Sequence, residues 1–258
     1  MSLNEIFNKW YPEYYDSIET QTNDWELFLE LLGTPKKVLE ICCGTGRILL
    51  PLARAGHEMH GIDRDNNMLA RLFAKADGSE NIHIRLADIL SADWGTGFDA
   101  VLLAGNIIIN IEGSGDYKSD QQKIISKAYD ALKPGGFLIM DNDGHPRPEE
   151  FFRNTDEVIV REIPETPDGM KAKRTYFWSK YDTKTQIASG YNEFELTLTD
   201  GQTMVQKEPW LKHIPLIPQM TGWVEDAGFE IINLWGDHGR NPVTEHTHRT
   251  VYWTRKPE

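Results

Sequence analysis

The sequence predicts an α/β fold: a doubly wound, mostly parallel sheet with an antiparallel β insertion after its fifth strand. Three observations lead there. An apolar run at 38–41 stops at small residues, Cys42-Cys43-Gly44-Thr45-Gly46, and a helical pattern of Ile48, Leu49, Leu52 and Ala53 follows. Strand and helix patterns then alternate to about residue 140, as successive βαβ units require. From about 145 to 214 that alternation gives way to runs in which apolar and polar residues take turns, as in half-buried antiparallel strands.

Ahead of the first strand, Ile6, Trp10, Trp25, Phe28, Leu29 and Leu32 keep helical register until Gly33 and Pro35 end the segment. Between its halves lies Tyr11-Pro12-Glu13-Tyr14-Tyr15-Asp16, whose amphipathicity suits helices packed on a sheet. The glycine turn after residue 41 lets the backbone approach a ligand, and the open N–H groups of the next helix face it. A second strand ends at Asp63, where a carboxylate can accept two ribose hydroxyls. A helix over 65–76 buries Met68, Leu69 and Leu72, and a strand at 82–86 leads into Asp88 and Ile89. Asp88 suits either a loop cap or a ligand contact.

The fourth strand is expected over 98–106 and a helix over 116–132. Lys133-Pro134-Gly135-Gly136 then breaks the helix before a fifth strand at 137–140. In the insertion, strands are expected at 158–163, 174–181, 187–199 and 204–213, with turns at Pro167-Asp168-Gly169, Asp182-Thr183 and Asp200-Gly201. One face would show Tyr176, Trp178, Tyr191 and Trp210, as core or as the inner wall of a cover over the ligand site. A helix capped by Gly228 and strands at 230–235 and 250–254 close the chain. The expected organisation is thus 1–144 (N-terminal helices and core), 145–214 (insertion) and 215–258 (last helix and strands).

A net charge of −13, with no long basic run to offset it, argues against a nucleic-acid groove. The two cysteines are adjacent, so neither staples the fold, and a reducing compartment is expected. No apolar run approaches bilayer length and the first ten residues are too polar for a signal peptide, so a soluble cytoplasmic protein is expected. His238, His246 and His248 invite a metal reading, but no cysteine or second acidic ligand stands at a zinc-like spacing. They are read as solvated loop histidines, and no metal is expected.

The glycine turn is not a dinucleotide fingerprint, because the third, packing glycine is missing. With Glu40 inside the strand, residues 38–47 resemble motif I of the class I S-adenosylmethionine methyltransferases, hydrophobic-(Asp/Glu)-x-x-x-Gly-x-Gly. The Phe98-Asp99-Ala100-Val101…Gly105-Asn106 run, the Ser119-Asp120-Gln121-Gln122 helix start and the Pro-Gly-Gly-x-Leu-x-x-Asp strand narrow the likeness. They resemble glycine N-methyltransferases and related small-molecule N-methyltransferases. The resemblance implies a seven-stranded sheet and S-adenosylmethionine (SAM) as cofactor. It places Glu40, Cys42, Gly44, Thr45 and Gly46 at the turn, and Asp63, Arg64 and Met68 after the second strand. Asp88 and Ile89 would meet the adenine, with Ala104 on the fourth strand.

Methyl transfer from a sulfonium needs an aligned, uncharged nucleophile and little else from the protein. In glycine N-methyltransferases the Asn after that Gly lies beside the substrate, which implicates Asn106; a Tyr-rich N-terminal segment often folds over the cofactor in such enzymes, which implicates Tyr15. His213 is a further candidate for base or orienting group, and Asp143 for the charge that contacts substrate. Where those enzymes place an arginine for the glycine carboxylate, this chain has Asn142-Asp143-Gly144, so a cationic or hydroxyl-rich amine suits it better than glycine. The expected partner is a small-molecule acceptor, and the insertion is equally suited to a homodimer surface. Rival readings are a small-molecule O-methyltransferase, a catalytically silent SAM-binding protein and, disfavoured by the missing glycine, an NAD-dependent oxidoreductase.

Overall fold

The computed structural model describes residues 3–78, 80–110, 116–152, 158–163, 165, 169 and 171–258. Helices α1 (Leu3–Ile18) and α2 (Asn23–Leu32) precede the first strand. The chain then runs β1 (Lys37–Ile41), α3 (Leu49–Arg54), β2 (Glu58–Asp63), α4 (Asn66–Lys75), β3 (Ile82–Leu86) and β4 (Phe98–Leu103). After these come α5 (Tyr117–Ala131), β5 (Leu132–Asp143) and the short α6 (Pro148–Phe151). The insertion holds β6 (Val158–Ile163), β7 (Lys171–Asp182), β8 (Ile187–Thr197) and β9 (Thr203–His213). The chain ends with α7 (Ile217–Asp226), β10 (Glu230–Trp235) and β11 (Arg249–Arg255).

Contacts divide the chain into two units: Gln21–Pro146 with Pro215–Glu258, and Met1–Thr20 with Arg147–Ile214. The first unit is built on a seven-stranded sheet in the order β10-β11-β5-β4-β1-β2-β3. Its inner strands pair in parallel, while β11 runs antiparallel to both β5 and β10. Apolar residues occupy both faces of the central strands, as a sheet covered on both sides demands. Leu39, Ile41, Val101 and Leu103 pack with Ile124, Ile125, Trp223 and Val224 of α5 and α7. On the other face, Val38, Ala100 and Leu102 pack with Leu49, Leu52, Leu69 and Leu72 of α3 and α4. The outer residues of two expected helices prove to be caps: Asp65 accepts from the N–H groups of Asn67 and Met68, and Asp116 from that of Ser119.

The Lys133-Pro134-Gly135-Gly136 turn differs from expectation. Strand β5 starts at Leu132, which pairs with Phe98, and the glycines hydrogen-bond to the C-terminal segment through Gly135 N to Lys256 O and Lys256 N to Gly136 O. Pro and Gly still stop the helix, yet a partner far along the chain turns the breaker into sheet edge.

The second unit is a four-stranded antiparallel sheet in the order β6-β7-β8-β9, with α1 packed on it. Phe7, Trp10 and Tyr14 of α1 bury against Ala172, Phe194 and Leu196. The expected aromatic face is wrong at one position. Tyr191 pairs with Phe177, and their rings stack at 4.4 Å, whereas Tyr176 pairs with Asn192, so Tyr191 and Tyr176 point to opposite faces. Trp210 lies over Gly190, where an added Cβ would meet its ring at 2.5 Å. The side chain of Trp178 and the turn residues Pro167 and Asp168 fall outside the described residues. Among the described residues, no helix is long and apolar enough to cross a membrane.

Candidate active site

The turn after β1 is held by left-handed residues, Cys42 at φ +55°, Gly44 at +51° and Gly46 at +77°. Gly46 is also a packing glycine, since an added Cβ would sit 2.9 Å from Leu72 Cγ and 3.0 Å from Leu50 Cγ. Met68 lies against Gly44, its Cε 3.3 Å from where a Cβ would be, and Thr45 is fully buried. At the end of β2 the buried Asp63 carboxylate accepts from Gly44 N and Asp65 N, both at 2.8 Å. The acid expected at a ribose therefore also ties β2 to the glycine turn. Burial pushes its carboxyl up, against the pull of those backbone N–H groups.

Glu40 is the anomaly of this region. It is buried, and its Oε2 has no hydrogen-bond partner among the described residues. Burial raises its carboxyl well above the ordinary range, opposed chiefly by the Arg47 guanidinium. Arg47 forms a forked pair with the buried Asp24 of α2, at 3.0 Å and 2.5 Å. Burial also pushes the Cys42 thiol up to about 12, which keeps it neutral.

Cys42, Arg64, Asp88 and Ile89 line one small cavity with Leu90, Ile107 and Asn110. Asp88 is exposed, and its Oδ1 accepts from Leu90 N at 2.8 Å and Ser91 N at 3.3 Å, so it caps its own loop while bordering the cavity. Ala104 is buried just beyond β4.

A second polar cluster forms where β4, β5 and β11 meet. Gly105 and Asn106 are both left-handed, at φ +71° and +70°. Asn106 Oδ1 accepts from Asp143 N at 2.6 Å, and Gly105 N donates to Asp141 Oδ1 at 2.6 Å. Asp141 Oδ2 receives Arg249 Nη1 at 2.5 Å and lies 3.0 Å from His238 Nε2, while Arg249 Nη2 reaches Asp143 Oδ1 at 3.1 Å. Burial alone would raise the Asp141 carboxyl; the His238 hydrogen bond and the Arg249 charge outweigh it and hold it below the usual range. Asn106 and Asp143, both singled out from sequence, are thus joined.

His238 corrects the reading of the three histidines as solvated. Its side chain is 9% exposed and tied to Asp141, because the loop after β10 folds back onto β5. His246 is exposed as expected, and His248 lies within 3.5 Å of His145. The remaining candidates belong to the other unit: Tyr15 is half-buried on α1, and His213 is buried at the end of β9. Next to Tyr15, Tyr14 is core, with Phe194 edge-on at 5.6 Å. Asp141, Arg249, His238, Asp24 and Arg47 were not singled out as site residues from sequence. Asp141 ends a Pro-Gly-Gly-x-Leu-x-x-Asp match, which was the one signal available for it.

A family model described as a methyltransferase domain matches residues 38–136, the stretch that holds the glycine turn, Asp63, Asp88 and Asn106. A solved S-adenosylmethionine-dependent methyltransferase from Clostridium acetobutylicum ATCC 824 superposes with a TM-score of 0.79 over 98% of this chain and 100% of its own, at 16% identity. The matched stretch is a methyltransferase domain, and the chain has the class I SAM-dependent methyltransferase fold. Among curated methyltransferases, a glycine/sarcosine N-methyltransferase of Aphanothece halophytica is 24% identical over 84% of this chain and 75% of its own. A ubiquinone biosynthesis O-methyltransferase of Ruegeria pomeroyi (strain ATCC 700808 / DSM 15171 / DSS-3) is 29% identical over 60% of each chain.

SAM is the cofactor of this family. The residues present fit it on the structure's own terms. An acceptor on Glu40 that is buried and unpartnered among the described residues sits beside a turn in which Gly46 has no room for a Cβ, and a cavity opens between that turn and Asp88.

Proposed function

We propose that this methyltransferase transfers the methyl group to an amine nitrogen of a small polar molecule. The observation that carries the reading is the cluster at Asn106, where two carboxylates, Asp141 and Asp143, share one guanidinium. Asp141 is sealed in, its side chain 1% exposed, but Asp143 is 29% exposed and can meet a ligand. Excess negative charge beside a backbone-fixed amide suits a cationic or hydroxyl-bearing amine and repels a free carboxylate such as glycine's. The relative that methylates glycine and sarcosine nitrogen, by its name, supports nitrogen as the acceptor.

Bound SAM supplies the electrophilic methyl group and the leaving group. Glu40 would meet its ammonium, and Arg47, already forked onto Asp24, would bring positive charge near its carboxylate. Asp63 would hold the ribose, and Asp88 and Ile89 the base; Cys42, Gly44, Thr45, Gly46, Arg64, Met68 and Ala104 would shape the walls. Asn106 Oδ1, fixed by Asp143 N, would orient the amine, and the Asp143 carboxylate would attract it; the proton leaves to solvent, so that the nitrogen attacks uncharged. Orientation of this kind supplies about 7–11 kcal/mol of a barrier without a nucleophilic residue.

Radiolabelled methyl transfer across matched panels of small amines, phenols and alcohols tests the reading. Label on amine nitrogen, with Asp143→Asn raising KM for cationic amines at least tenfold, is the expected result. SAM binding with transfer to oxygen only, or to nothing, overturns it.

A further inference from the structure

Away from the glycine turn, β2 and β3 bring together a set of side chains that the methyltransferase reading leaves unused. Glu58 and His60 stand two residues apart on β2 and leave the same face of the sheet. Parallel pairing sets His83 of β3 opposite His60. His60 Nε2 lies 2.8 Å from Glu58 Oε1, and the His60 and His83 rings stack with centroids 4.5 Å apart. One ligand atom from each of the three residues lies within 4.8 Å of the other two. A cavity of about 340 Å³ opens beside them, with His60, His83, Arg85, Trp94 and Phe98 in its wall.

We propose that Glu58, His60 and His83 bind one divalent first-row transition-metal ion of zinc's class. Two imidazole nitrogens and one carboxylate oxygen are the donor set that borderline divalent metals favour, and three protein ligands leave a position for water. Bonds of about 2.0–2.2 Å require the three atoms to draw closer than they now lie. His83 is exposed and Glu58 half-buried, so the closing movement falls on side chains with room to turn. The stacked rings already face the same space. Lys37, whose Nζ sits 4.9 Å above the Phe98 ring, and Arg85 in the cavity wall are nearby charges that oppose a cation.

The site has a consequence for the fold. Strand β3 is the last strand of the sheet, so an ion held by both β2 and β3 clips an edge strand to its neighbour. The proposal stands apart from the methyl acceptor and from SAM, and its test reads metal rather than activity.

Metal-free full-length protein is titrated with zinc by calorimetry and with cobalt by visible absorption, alongside His83→Ala, Glu58→Gln and, as a control, His248→Ala. The expected result is one zinc per chain, cobalt ligand-field bands from a nitrogen- and oxygen-bound ion, and a higher melting temperature with zinc. His83→Ala and Glu58→Gln each weaken zinc at least tenfold and lose the bands, whereas His248→Ala keeps both. No saturable uptake by the parent protein, parent-like binding by His83→Ala and Glu58→Gln, or loss in His248→Ala overturns the assignment.

Discussion

Glu40 on β1 and Asp141 on β5 are both buried acids near the C-terminal ends of parallel strands, and their surroundings push them opposite ways. Asp141 meets a full set of donors: Gly105 N, His238 Nε2 and Arg249 Nη1. Its carboxyl is held below the ordinary value despite complete burial. Among the described residues Glu40 has an oxygen without a partner, and its carboxyl is held well above the ordinary value. Desolvation acts on both, so the difference lies in the donors. One acid is finished by the protein and braces the Gly105–Asn106 bend. The other has an oxygen that no described residue satisfies, at the place where the proposed contact with the donor's ammonium would act.

Removing the finished acid should therefore cost most. Asp141→Ala leaves Arg249 and His238 facing an emptied buried site, and breaking such a pair costs about 3–5 kcal/mol. Urea unfolding should show the loss as a lower midpoint, and Asn106 should lose its fixed geometry with it. A variant within about 1 kcal/mol of the parent would show that the apparent saturation of Asp141 carries little stability.

Glu40→Gln should act in the opposite direction on the apoprotein. It removes the group that resists ionisation in place, so the apoprotein's urea midpoint at pH 7.5 should rise. Donor affinity, by calorimetry with SAM, should fall roughly 10- to 100-fold, matching about 1.5–3 kcal/mol for a hydrogen bond to a charged group. A drop in both stability and affinity would mean that Glu40 is already satisfied by Arg47 and that the comparison fails.

The same contrast predicts a pH profile for the apoprotein. Asp141 has a folded value below its ordinary 3.8, so its stabilisation is present above that pH and is lost as pH falls through the folded value. Glu40 has a folded value above its ordinary 4.5, so its contribution is present below 4.5 and is lost as pH rises through the folded value. Midpoints measured from pH 3 to 8 should show Glu40→Gln flattening the neutral side and Asp141→Asn flattening the acid side. Flattening on the wrong side in either variant would reverse the assignments.

How far each acid could be read from sequence follows the same division. Glu40 sits inside a local pattern of strand, small-residue turn and helix, whose periodicity and spacing are visible within a few residues. Strand and helix positions were legible for the same reason; β6 and β10 begin and end where the alternation does. Asp141 depends on partners 97 and 108 residues away, His238 and Arg249, and no local pattern announces them. Pairing register hid Tyr191's face in the same manner, because a strand's own alternation does not say which partner it meets or where a bulge intervenes. Arg47 with Asp24 is a milder case, a pair spanning 23 residues between two helical segments.

The smallest effect is expected at Cys42, between these extremes. Its φ of +55° is a conformation in which an L residue is strained by about 1–2 kcal/mol, and glycine is not. Cys42→Gly releases that strain but adds backbone freedom to the unfolded chain and gives up the packing of a partly buried Sγ against the cavity wall. These terms oppose one another, so stability should change by less than about 1 kcal/mol and SAM affinity by less than tenfold. The thiol is also kept neutral by burial, so it brings no charge to the site that glycine would remove. A loss of binding as large as that of Glu40→Gln would show that the Cys42 side chain is a ligand contact in its own right. The unfinished acid would then share its task with the residue two places on.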